Sequence, residues 1–223
     1  MTSQASVAFK KNCTDVDRLL EIHSEITGDE PGRRWQQVES LHKAAFVLIT
    51  AFWEAFCEDL AAEALDHLVN QAQGANSLPL DLQKLVAKEL KATGQHELAI
   101  WQLAGDGWRT VLSTRLQRLQ QERNRKLNTP KTAQIDDLFT NAVGVGGVSK
   151  SWFWKGMTAA RASEKLDEFV TLRGEVAHRG SAADSIRKTQ VKNYYNHIVK
   201  LVGKTEARVA RAVADAIGSA PWS

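Results

Sequence analysis

The chain has only two cysteines, Cys13 and Cys57, among its 223 residues. Two thiols cannot build a disulfide scaffold, and their separation fits no zinc or redox motif. No apolar run approaches the ~18–20 residues that span a bilayer. The first residues (Met1-Thr-Ser-Gln-Ala-Ser) lack a signal peptide's charged start and apolar stretch. These absences set the expectation of a cytoplasmic protein in a reducing compartment, with no membrane partner. There is no G-x4-G-K-[ST], no G-x-G-x-x-G and no G-x-S-x-G, so the common phosphate-loop, dinucleotide and nucleophile-elbow chemistries are excluded and no cofactor is expected. His23, His42, His67, His96 and His197 form no H-x3-H or H-E-x2-H pair, so no metal is expected either. Alternating β-branched runs are also missing, which removes sheets from the reading. Internal repeats and low-complexity stretches are absent as well.

What is present suits one soluble domain over residues 1–223, with 43% hydrophobic and 25% charged residues. The net charge is +3 with a pI near 8.9, which permits nucleic-acid contact without requiring it. The positive charge is unevenly spread. Arg115, Arg118, Arg123, Arg125 and Lys126 form one basic run, interrupted by Glu122. From Asp184 to Asp215, Arg187, Lys188, Lys192, Lys200, Lys204, Arg208 and Arg211 face only Asp184, Glu206 and Asp215. Such runs are either solvated helix faces or a nucleic-acid contact.

Helical periodicity covers nearly everything else. Phe9, Cys13, Val16, Leu19, Leu20, His23 and Ile26 share helical spacing, and Gly28 to Gly32 ends that run. The longest apolar stretch runs from about Trp35 to Ala72, and its centre, residues 44–56, is apolar on most sides, which places it in the middle of a bundle. After the loop from Gly74 to Pro79, helices are predicted at Asp81–Lys91, Trp108–Lys126 and Thr132–Val143, the last between Pro130 and Gly144. Ser151-Trp-Phe-Trp-Lys-Gly156 is an aromatic connection to a helix over Thr158–Leu172, and a long helix from about Ala183 to Ile217 follows. The predicted fold class is all-α, a helical bundle with a long central apolar helix and a long C-terminal helix. Trp53 and Trp101 read as core, Trp152 and Trp154 as a plug on the bundle, and Trp222 as part of a frayed terminus.

The chemistry concentrates in Arg173-Gly-Glu-Val-Ala-His178, followed by Arg179-Gly-Ser. A histidine titrates near neutrality and suits acid–base work, and an arginine can clamp phosphate oxygens bidentately. Together they are the groups that metal-free phosphodiester cleavage needs. Residues five apart on a straight helix point about 140° apart. They converge only if the helix ends or bends between them, which Gly174 and Gly180-Ser181 permit, or if two copies meet across a symmetric dimer. The alternative is an arginine capping a helix end beside an ordinary surface histidine.

Several ordered blocks carry a resemblance. They are Ala51-Phe-Trp-Glu-Ala-Phe-Cys-Glu-Asp-Leu60, Leu127-Asn-Thr-Pro130, Ile135-Asp-Asp-Leu-Phe139, Trp152-Phe-Trp154 and Leu172-Arg-Gly-Glu-Val-Ala-His-Arg-Gly180. Over roughly residues 35–210 the chain resembles the HEPN superfamily, in particular its RiboL-PSP branch, with residues 1–30 outside the resemblance. The resemblance implies a HEPN-like bundle and a metal-independent endoribonuclease. Cleavage would use 2′-OH attack to leave a 2′,3′-cyclic phosphate, at a site shared by a homodimer, in a toxin–antitoxin or anti-phage setting with an antitoxin or defence partner. It assigns catalysis to Arg173 and His178. It also exposes a departure: many members carry Asn, Asp or His after the arginine, where this chain has Gly174. A non-catalytic HEPN module that binds RNA, a nucleotide or a partner protein is the alternative.

Other residues are candidates for supporting roles. Glu54 and Glu58 share a face of the central helix, where a carboxylate needs a cation; Arg173 is the candidate partner, and a polar stripe at the core edge the alternative. Glu54 and Glu175 are the residues expected to orient the site, with solvated flanks of the motif as the alternative for Glu175 and Arg179. Arg179 and Lys192 are expected to contact substrate phosphate, and Tyr194 either stacks on an unpaired base or packs in the core.

Overall fold

A computed structural model of the chain describes residues 2–27, 36–92, 100, 102–121, 129–179 and 186–222, with residues 36, 37 and 177–179 described by their backbone alone. Among the described residues seven α-helices follow one another: α1 (Gln4–Thr27), α2 (Gln36–Gln71), α3 (Leu80–Ala92), α4 (Gly107–Gln121), α5 (Thr132–Val143), α6 (Ala159–Arg179) and α7 (Lys188–Ile217). Among the described residues there is no strand, only an isolated antiparallel bridge between Trp154 and Met157. The all-α class read from the periodicity is what the chain adopts.

The organising element is α2. Its 36 residues make a rod about 54 Å long. Its side chains are buried around most of its circumference: Phe46, Ile49, Trp53, Phe56, Leu60, Leu65 and Leu68 are all at most 2% exposed. A helix apolar on all sides must be covered on all sides. On one side α1 supplies Phe9, Cys13 and Val16, with the Phe9 ring edge-on to Phe56 at 6.0 Å. From the C-terminal half, α7 supplies Tyr194, Ile198, Leu201, Val209 and Val213. The aromatic connection closes another side: Trp152 is fully buried, meets Trp53 edge-on at 6.0 Å, and donates its indole N–H to Thr205 Oγ1 at 2.9 Å. Trp53 donates its own to the Pro130 carbonyl at 3.2 Å. The plug expected of Trp152 and Trp154 is present, with Trp154 half-buried against His197.

Helix ends are fixed by long-range contacts as much as by local signals. Arg109 of α4 donates to the Val69 carbonyl and, at 2.6 Å, to the Ala72 carbonyl, satisfying orphan acceptors at the end of α2. At Gly144 the chain leaves α5 with φ +71°, and a Cβ there would sit 2.5 Å from the Leu82 amide nitrogen, so this close approach to α3 requires glycine.

Several sequence expectations are corrected. The helix expected to end at Leu172 runs on as α6 to Arg179, because Val176 is buried and holds the extra turns against the core. That burial outweighs the ~1 kcal/mol that Gly174 costs a helix interior. The last helix begins at Lys188 rather than Ala183; the buried Ile186 precedes it, and the Arg187 amide donates to Gln190 Oε1 at 2.8 Å. Arg115, read as part of a basic run that faces solvent or nucleic acid, is instead only 8% exposed. Its Nε donates to the Asn141 carbonyl at 3.1 Å, Nη2 donates to the same oxygen, and Nη1 reaches Glu89 at 2.5 Å. Trp222 packs against the edge of the core rather than fraying. Trp101 and residues 122–126 of the predicted fourth helix lie outside the described residues.

Candidate active site

The middle of α2, the C-terminal half of α6 and the first turns of α7 come together around Arg173. Phe46 of α2, Phe169 of α6 and Tyr194 of α7 form an aromatic floor, with ring centroids 5.9 Å (Phe46–Phe169), 4.7 Å (Phe46–Tyr194) and 4.4 Å (Phe169–Tyr194) apart. The Tyr194 hydroxyl lies 2.8 Å from Thr50 Oγ1, and burial pushes its phenol pKa up against the opposing effects of that hydrogen bond and of the Arg173 charge. Arg173 is half-buried, and its Nε is buried with no hydrogen-bond partner. An unsatisfied guanidinium donor in a protein interior is costly.

One turn further along α2, Glu54 is half-buried and its carboxyl is pushed up from 4.5 to about 7. Burial is the main cause, the Glu58 carboxylate adds to it, and the Arg173 charge opposes it. The Arg173 charge thus acts on Glu54, although no ion pair within 4.0 Å forms between them among the described residues. A cation with a free donor beside a carboxyl poised near neutrality is a combination that functional sites concentrate.

The remaining candidates separate. Tyr194 is fully buried, so its ring has no face to offer a base, and the stacking role is replaced by packing beneath Arg173. Glu175 is exposed on an acidic face of α6 that it shares with Glu164 and Glu168, about 200° around the helix from position 173. It does not stand beside the Arg173 guanidinium. Lys192 is exposed and lies with Lys188 across a shallow cleft of about 360 Å³ from Asp17, Glu21 and Glu25 of α1. The side chains of His178 and Arg179 lie outside the described residues. The backbone of α6 continues unbroken through both positions, so the helix does not end between 173 and 178.

The structure also assembles groups that the sequence did not single out. His42 and His23 stack with ring centroids 4.6 Å apart. His42 Nδ1 donates to the Ile186 carbonyl at 2.9 Å, leaving a buried Nε2 without a partner. Burial is the main cause lowering the pKa of both imidazoles, and Lys188 contributes to each. These two residues are far apart in sequence on different helices, and a search for metal-ligand spacing cannot find them. A cleft of about 550 Å³ between α2, α3, α4 and α5 is lined by Glu58, Glu89, Arg115, Arg118, Asp137 and Asn141, among others. Among the described residues, no three His, Cys, Asp or Glu side chains gather in a metal-binding group, and no helix is long and apolar enough to cross a membrane.

No curated protein and no solved structure gives a significant match to this chain. One family model does match, and it reaches back to residue 11, taking in most of α1, which the sequence resemblance had left outside. The packing of Cys13 and Val16 on α2 is the physical counterpart of that wider match, since α1 shares the one core. With the match extending over residues 11–210, the chain belongs to the RiboL-PSP-HEPN family.

Proposed function

We propose that the protein is a metal-independent endoribonuclease that acts as a homodimer, with Arg173 and His178 as its catalytic residues. The observation that carries this reading is the state of Arg173: its Nε is buried and unpartnered, and its charge reaches Glu54. Arg173 as a whole is only half-buried and forms no ion pair among the described residues, so a phosphodiester can serve as its anionic partner.

In the proposed reaction the His178 imidazole accepts the proton of a ribose 2′-hydroxyl, and that oxygen attacks the adjacent phosphorus. The P–O5′ bond breaks as the new P–O2′ bond forms. The 5′-oxygen leaves with a proton from a protonated histidine, giving a 2′,3′-cyclic phosphate and a 5′-hydroxyl. Arg173 stabilises the charge that builds on the non-bridging oxygens, and Glu54 positions it. The need for a 2′-hydroxyl restricts cleavage to RNA. The unbroken α6 favours a composite site: positions five apart on one helix diverge by about 140°, so Arg173 of one subunit and His178 of the other serve one phosphate across a two-fold axis. Family membership supports a toxin or anti-phage role, in which a neutralising or defence partner controls activity.

The test is an RNA digest with and without EDTA. Wild-type protein should cleave in both, and Arg173→Ala and His178→Ala should each lose roughly 10²-fold or more. Mixing the two inactive variants should restore part of the activity through hybrid dimers. Wild-type rates in His178→Ala would exclude the mechanism. Gly174 favours the second reading, a non-catalytic module: an absence of cleavage over hours together with salt-sensitive RNA binding would select it.

A further inference from the structure

We infer that the solvent face of α7, together with Phe153, forms a binding surface for single-stranded RNA separate from the Arg173 site. The aromatic connection alternates sharply in exposure. Trp152 is fully buried and Trp154 half-buried, yet Phe153 between them is 58% exposed. Its position is fixed from both sides. Trp152 is held by Thr205, and Trp154 and Met157 exchange backbone hydrogen bonds of 3.1 and 2.9 Å. A large aromatic ring is thus kept in solvent on a rigid mount, with Lys204 Nζ 5.2 Å from its centroid. At that exposure the ring keeps a face on which a base can stack.

Lys204 belongs to a stripe. Lys200, Lys204, Arg208 and Arg211 follow spacings of four, four and three along α7, which keeps them within an arc of about 80°. None of the four is in an ion pair among the described residues. The acid nearest in sequence to Lys204, Glu206, turns away to accept from the Ser3 amide and hydroxyl at 2.7 and 2.6 Å. Asp215 closes the stripe one turn beyond Arg211. Cations in a row beside an exposed aromatic match what a single strand presents, a line of phosphates with free base faces. A duplex hides those faces. Lys200, the first cation of the stripe, lies six residues along α7 from Tyr194, and Lys204 ten, so the surface begins about 9 Å along the helix from the candidate site and its aromatic part lies about 15 Å away. The choice of RNA rests on the proposed function; the choice of a single strand rests on the stripe and the ring.

The test is fluorescence anisotropy with a 2′-O-methyl oligouridylate dodecamer, which cannot be cleaved. Binding therefore reports on this surface whether or not the protein is a nuclease. Wild-type protein should bind at low salt. Phe153→Ala should weaken binding roughly 5- to 150-fold, the range for loss of one base–aromatic stack, while Phe153→Trp retains it. Lys204→Gln with Arg208→Gln should lower the slope of log K against log salt by about 0.7 per cation removed. Phe153 is in solvent, so its variants should keep the wild-type circular dichroism. Absence of binding at low salt, or equal binding by wild type and Phe153→Ala, would overturn the proposal. So would equally tight capture of polyglutamate, which marks an acidic protein as the occupant. If the variants lose binding while wild type never cleaves RNA, this surface stands and the nuclease reading falls.

Discussion

Replacing Glu54 by glutamine should make the protein more stable and less active at the same time. The Glu54 carboxyl is pushed up from 4.5 to about 7, chiefly by burial and then by Glu58, with Arg173 only partly compensating. The folded protein therefore holds this proton more tightly than the unfolded chain does. Below pH 4.5 both states are protonated and there is no penalty. As pH rises from 4.5 through 7 the unfolded chain gives up its proton first, so stability falls, and above 7 the penalty is complete. At about 1.36 kcal/mol per pH unit the ceiling is about 3.4 kcal/mol. Glu54 is only half-buried, so solvent screening reduces that to about 1.5 kcal/mol. Glutamine keeps the shape and removes the charge. Urea denaturation at pH 4, 6 and 8 should show the two proteins level at pH 4 and Glu54→Gln ahead at pH 8 by about 0.6 M in midpoint, for a typical slope of ~2.5 kcal/mol/M. Under the proposed function the same variant should lose RNA cleavage, because Arg173 loses the carboxylate that positions it. A variant less stable than wild type at pH 8, by a gap that does not change with pH, would refute the reasoning; Glu54 would then be a stabilising partner of Arg173.

Three further predictions concern α6 and α7. His197 donates its Nε2–H to the Ala162 carbonyl at 3.0 Å and packs near Trp154 and Phe169, and burial lowers its pKa to about 4. Its contribution to stability is complete above pH 6.5 and is lost as pH falls toward 4, by up to about 3 kcal/mol; His197→Gln should flatten that acid limb in urea titrations. Gly174 lies inside α6 with nothing within 4 Å of where a Cβ would stand, so Gly174→Ala should gain about 0.5–1 kcal/mol in thermal unfolding. Gly174→Asn, which supplies the polar group common in the family, should raise cleavage relative to Gly174→Ala.

The fold was legible wherever punctuation and periodicity agreed. The helix predicted at Thr132–Val143, bounded by Pro130 and Gly144, is α5, residue for residue. The central apolar helix was visible because apolar residues fill more than one face of its pattern. The misread boundaries share one cause. Val176 holds α6 past Gly174, and the His42–Ile186 hydrogen bond anchors the approach to α7. Both are contacts between segments that local pattern cannot connect. Arg115 makes the same point in chemistry: in sequence it is one cation in a basic run, and only the Asn141 carbonyl brought by α5 makes it a buried strut. At the candidate site, the sequence offers Arg173 as a partner for a carboxylate on the apolar helix, with a polar core edge as the alternative. In the structure the Arg173 charge acts on Glu54 without an ion pair between them among the described residues. The helix pattern alone could not exclude Tyr194 as a stacking platform; its burial depends on Phe46 and Phe169 closing over it from two other helices.

The length and all-round apolarity of α2 have a consequence for the protein's synthesis. This helix is complete at Gln71, and α7, which covers one of its longest faces, ends at Ile217, 146 residues later. At roughly 5–20 residues per second the ribosome takes about 7–29 s to supply that cover. During this interval the nascent chain carries a long greasy rod with α1 as its main early partner. Any stall or truncation before α7 would leave that rod permanently bare, so shortened products should be insoluble or chaperone-bound rather than partly active.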